Sequence, residues 1–141
     1  MAFDMYQEII LQHYRAPKNF GALEGADLVG EESNPLCGDR IRLQLKLDPT
    51  GAQISDVRFD GEGCAISVAS ASMLTAKVKG QSRAAVEAMT RDDVLQMVGI
   101  PLSPVRMKCA LTGFSALGRA LHPAPAVGSG TATVAPEGTA P

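Results

Sequence analysis

Residues 41–47, IRLQLKL, alternate apolar and polar without a break. Ile41, Leu43, Leu45 and Leu47 point one way, and Arg42, Gln44 and Lys46 the other. A period of two is the signature of a strand with one buried face. Asp48-Pro49-Thr50-Gly51 follows. Pro49 presets φ at the second turn position and Gly51 tolerates positive φ, so the chain reverses there. Residues 53–59, QISDVRF, return as the partner strand, with Val57 and Phe59 on one face. Gly61 and Gly63 are expected to end that strand and begin a tight loop. An antiparallel hairpin that is apolar on one side needs something to cover it, and the remaining periodic segments are helical.

Residues 3–15 repeat apolar side chains near the 3.6 period through Phe3, Tyr6, Ile9, Ile10 and Tyr14, until Pro17. A weaker strand signal lies around 26–33. Residues 65–79 read as a helix with a small-residue face of Ala65, Ala69, Ser72 and Ala76, closed by Gly80. Ser82 is expected to cap a helix through Met89. Thr90 and Asp93 form a capping pair for another that ends at Gly99. Two prolines within 100–108 predict an extended loop. Residues 109–121 predict the last helix, with Leu111, Phe114, Leu117 and Leu121 on one face. From His122 the composition shifts to Pro, Gly, Ala and Thr with one charged residue, Glu137, so residues 122–141 are expected to be a flexible tail behind a domain of residues 1–121. The expected class is α+β.

The whole chain has 141 residues and a net charge of −2, which bounds it to one domain and argues against a dedicated nucleic-acid binder. No segment approaches the ~20 continuous apolar residues of a membrane span. The first ten residues carry Asp4 and Glu8 and lack the basic and apolar blocks of a secretory signal, so the cytosol is the expected compartment. In a reducing compartment three cysteines, Cys37, Cys64 and Cys109, suggest metal binding or reactivity as readily as core packing. Each sits at an expected transition between elements. Cys64 and Cys109 fall at expected helix starts, where unpaired N–H groups favour a thiolate, and Arg106 and Lys108 precede Cys109. Asp39 could complete a tetrahedral zinc site or anchor an iron–sulfur cluster with the three thiols, or it could simply cap a turn or pair with Arg40 or Arg42. His13 and His122 are weak ligand candidates. No Gly-x-Ser-x-Gly elbow, deaminase pattern or P-loop is present.

The segments from Tyr6 to Tyr14 with RAPKNFG (15–21), NPLCGD (34–39), FDGEGCAISVASASMLT (59–75) and RMKCAL (106–111), in this order, resemble the SufU/IscU family of U-type iron–sulfur cluster assembly proteins. The resemblance runs from about residue 3 to residue 121. It implies a small antiparallel sheet covered on one face by helices, with the metal site at one exposed end. It also implies that Cys37, Asp39, Cys64 and Cys109 are the metal ligands. Members either hold zinc, accept sulfur from a cysteine desulfurase and relay it to a downstream cluster scaffold or apo-proteins, or assemble a [2Fe–2S] cluster and hand it to acceptors; a structural zinc module is the remaining alternative for such a site. Lys108 stands where scaffold-type members carry His, which looks like the zinc-dependent SufU branch. The 45-residue interval from Cys64 to Cys109 lacks that branch's usual extra segment. The resemblance to SufU implies Cys37 as the persulfide acceptor. Cys109 is the alternative acceptor, and Arg106 is expected to assist. No membrane or nucleic-acid partner is expected.

Overall fold

The hairpin forms as the alternation requires, and a third strand joins it. The structure, a computed structural model, describes residues 2–35 and 38–122, with side chains from Gln7 onward. Leu36, Cys37 and residues 123–141, most of the expected tail, lie outside the described residues. Helix α1 (Ala2–Arg15) is followed by strands β1 (Leu28–Asn34), β2 (Asp39–Leu47) and β3 (Ile54–Glu62). Four helices complete the order: α2 (Ala65–Val78), α3 (Arg83–Glu87), α4 (Arg91–Val98) and α5 (Pro104–Leu121). The sheet is antiparallel in the order β1-β2-β3. Register sets Leu43 against Phe59 and Leu45 against Val57. All four are buried, together with Ile41, and this face carries the core under α2 and α5.

Helix α5 lies directly on β1. Gly30 makes that possible, because a Cβ there would overlap the backbone of Ala116 and Ala120. Helix α2 is central rather than amphipathic: nine of its 14 residues are buried. Its small residues let other elements approach. Ala71 packs on Gly113 of α5, and Ser70 donates to the Ala110 carbonyl at 2.7 Å. On its other side the Ser72 hydroxyl accepts from Lys18 N and bonds His13 Nδ1 at 2.6 Å. His13 is thereby a packing residue between α1 and α2.

Several sequence expectations are corrected. Gln44 does not face solvent; it is buried under residues 21–23, where its amide meets Leu23 N–H, Gly21 O and Asp60. β3 is not stopped by Gly61. That residue sits inside the strand opposite Ile41 with φ +138°, where a Cβ would overlap the Arg40 carbonyl oxygen. Ala76 of the expected small face is exposed. The helix after Ser82 ends at Glu87, short of Met89, although Ser82 caps it as expected. The Thr90–Asp93 capping box and the left-handed Gly99 stand where the sequence puts them. The largest change is at the last helix. It starts at Pro104, not at Cys109, because Ser103 caps Arg106 N–H and proline is well suited to the first helical position.

Candidate metal centre

Three chain segments meet at one end of the β2–β3 hairpin. Gly38, with φ +67°, turns the chain into β2, so Asp39 is the first residue of that strand. The register pairs Arg40 with Glu62, which brings the chain leaving β3 alongside Asp39. Cys64 is the N-cap residue of α2, in extended conformation. Cys109 arrives from α5. One oxygen of Asp39, Sγ of Cys64 and Sγ of Cys109 all lie within 4.8 Å of one another.

Asp39 is held rather than merely nearby. It is 2% exposed. Its Oδ1 accepts the Cys64 amide N–H at 3.0 Å and the Ser67 hydroxyl at 3.0 Å. Its Oδ2 is buried with no hydrogen-bond partner among the described residues. A buried carboxylate oxygen left without a donor is costly unless a cation or proton meets it. Gly63 makes the cradle: a Cβ there would overlap both Ser67 Oγ and Asp39 Oδ1 and stand 3.0 Å from Asp39 Cγ. Asp39 therefore does not pair with Arg40, whose guanidinium meets Glu31 at 3.5 Å. It does cap a turn of sorts, at Cys64, but with one oxygen only.

Cys109 is fully buried and Cys64 is half-buried, so of these three residues Cys64 is the one that reaches solvent. Cys109 is the sixth residue of α5, past the first turn, so the helix-terminus field expected to favour its thiolate belongs to Ser103–Arg106 instead. Cys64 keeps its expected place at a helix start. Arg106 and Lys108 are exposed; Arg106 stands three residues before Cys109, on the adjoining helical position. His122 closes α5 and His13 bonds Ser72, so neither joins the cluster. Cys37 lies outside the described residues.

Two cysteine sulfurs and a carboxylate with a spare buried oxygen are donors of the kind that suit a tetrahedral zinc ion, and cysteine sulfurs equally suit an iron–sulfur unit. The residue missed from sequence is Ser67. Its signal, a serine one turn after Cys64, becomes legible only once Asp39 is known to lie beside that turn.

The NifU-like N-terminal domain family matches residues 5–126. The chain is 37% identical over 130 positions to the zinc-dependent sulfurtransferase SufU of Bacillus subtilis (strain 168), covering 80% of this chain and 86% of that protein. It is 38% identical over 117 positions to the iron–sulfur cluster assembly scaffold protein IscU of Aquifex aeolicus (strain VF5), covering 83% and 73%. A crystal structure described as a putative iron–sulfur cluster assembly scaffold protein for the SUF system, from Fervidobacterium islandicum AW-1, superposes with a TM-score of 0.70. It shows 27% identity and covers 86% of this chain and 99% of that one. No helix among the described residues is long and apolar enough to cross a membrane.

Proposed function

The chain belongs to the NifU-like N-terminal domain family of iron–sulfur cluster assembly proteins, and from that premise we propose that it is a cytosolic, zinc-dependent sulfur acceptor. It takes persulfide sulfur from a cysteine desulfurase and relays it to a downstream cluster scaffold or apo-protein. The observation that carries this reading is the meeting of Asp39, Cys64 and Cys109 around a buried carboxylate oxygen that has no partner among the described residues. With Cys37, two positions before Asp39 in the sequence, these residues would hold zinc. Bound zinc would keep the thiols deprotonated and order the site.

The remaining chemistry belongs to the chain. The Cys37 thiolate attacks the outer sulfur of the desulfurase persulfide. The donor S–S bond breaks, the desulfurase cysteine leaves as a thiolate, and Cys37 carries the new persulfide. Arg106, exposed near the site, is available to pair with an acidic group of the partner. Cys109, the alternative acceptor, is fully buried. The test combines metal analysis of the purified protein with desulfurase turnover and persulfide mapping by mass spectrometry. Zinc, faster turnover and a persulfide on Cys37 are expected; turnover unchanged and no sulfur on Cys37 would reject the relay.

One observation favours a second reading, a scaffold that builds a [2Fe–2S] cluster. The 130 aligned positions with the Bacillus protein exceed 80% of this chain, so that relative has a stretch without a counterpart here. The 117 positions with the Aquifex scaffold equal 83% of this chain, with no gap opened in it. A cluster that forms anaerobically and transfers intact to an apo-acceptor would establish that reading in place of the relay.

A further inference from the structure

Ser67 is a polar side chain beside the candidate metal centre whose role the proposed function leaves open. It is completely buried in α2. Its Oγ lies 3.0 Å from Asp39 Oδ1 and 3.0 Å from the Cys64 carbonyl oxygen. A hydroxyl has one proton to give. An ionised carboxylate is the stronger acceptor, so the proton goes to Asp39 Oδ1. The same oxygen already takes the Cys64 amide N–H. Two donors on Oδ1 and, among the described residues, none on Oδ2 make the two oxygens of one carboxylate inequivalent.

We propose that Ser67 is a positioning residue for the metal centre: its hydroxyl occupies Asp39 Oδ1, fixes the carboxylate plane, and leaves Oδ2 as the oxygen that reaches a metal. The proposal rests on the metal-centre part of the proposed function and not on which sulfur chemistry follows. Donors to a ligating carboxylate orient it, and their loss typically lowers metal affinity about 10–100-fold. Without Ser67, Asp39 keeps one bond, to a backbone amide, and its plane is free to rotate about that contact. The Gly63 cradle would then have room but no second anchor.

The test uses the full chain, stripped of metal and titrated with Zn²⁺ against a chelating indicator, and separately with Co²⁺ followed by visible absorption. Ser67→Ala is expected to weaken zinc about 10–100-fold. Its cobalt d–d bands should shift, while sulfur-to-cobalt charge transfer persists because the thiols are untouched. In an Asp39→Ala background the same substitution should cost nothing further, because Ser67 acts only through that carboxylate. If Ser67→Ala does not fold, the isosteric pair decides: Ser67→Thr keeps the hydroxyl and retains affinity, and Ser67→Val loses it. Zinc affinity within twofold of the parent in Ser67→Ala would overturn the proposal, as would an equal loss with and without Asp39. A parent protein that binds neither zinc nor cobalt would overturn the metal centre itself, and the positioning role with it. That outcome is distinct from a variant that fails to differ from a parent that binds.

Discussion

A methyl group at position 63 should damage the site without replacing any of its proposed ligands. A Cβ on Gly63 would overlap Ser67 Oγ and Asp39 Oδ1 and stand 3.0 Å from Asp39 Cγ, so Gly63→Ala cannot coexist with the present carboxylate. Asp39 has a short side chain and is 2% exposed, so it has no long stem with which to yield. Displacing it breaks the bonds from Cys64 N–H and Ser67 Oγ–H. Hydrogen bonds to a charged group are worth about 1.5–3 kcal/mol each. Some of that returns if the carboxylate finds water, which leaves a net loss of about 2–4 kcal/mol. A domain of this size loses about 4 °C of melting temperature per kcal/mol, so the transition should fall by roughly 8–16 °C. Thermal unfolding by circular dichroism measures it, and the same sample, titrated with zinc, should bind more than tenfold more weakly. A melting temperature within about 2 °C of the parent, with zinc affinity unchanged, would mean that the carboxylate relaxes freely and that the cradle is not rigid.

Gly30→Ala should destabilise by about 3 kcal/mol, because the intruding Cβ meets the α5 backbone at Ala116 and Ala120, where no rotamer change can relieve it; the urea midpoint reports this, and an unchanged midpoint refutes it. Burial first, then the Lys18 cation, lowers the His13 pKa below its ordinary value. The folded chain therefore binds fewer protons than the unfolded chain just below about pH 6.5, and stability falls as the pH drops through that window. Denaturant titrations from pH 7.5 to 5.5 should show this slope in the parent and a shallower one in His13→Gln; equal slopes would remove His13 as the cause.

The hairpin, α1 and the Thr90–Asp93 cap were legible because each is a local pattern: a period, a breaker, or a side chain that bonds within its own turn. Gln44 was not, since alternation says which side of a strand a residue faces but not whether another segment covers that side. The start of α5 was readable in principle. Ser103-Pro104 is a cap followed by a proline at the first helical position, where its missing N–H costs nothing, but two prolines close together favoured a loop. The small face of α2 was half legible: Ala69 and Ser72 are buried as spaced, while Ala76 is exposed. At the candidate metal centre the resemblance pointed to Cys37, Asp39, Cys64 and Cys109; the fold brings the last three together, and Cys37 lies outside the described residues. Nothing in a one-dimensional pattern joins Ser67 to a residue 28 positions earlier.

The β2–β3 ladder behaves as a ruler laid between a reversal and the candidate site. Nine residues of β2 run from Asp39 to Leu47, and the only irregularity in the pairing falls at Lys46/Leu47, beside the turn. Length changes near Asp48–Gly51 can be taken up at that bulge. A residue gained or lost farther along either strand would invert every facing beyond it and carry Asp39 to the opposite side of the sheet from Cys64. Natural variation in chain length should therefore collect at the distal bend and spare the stretch from residue 39 to residue 45.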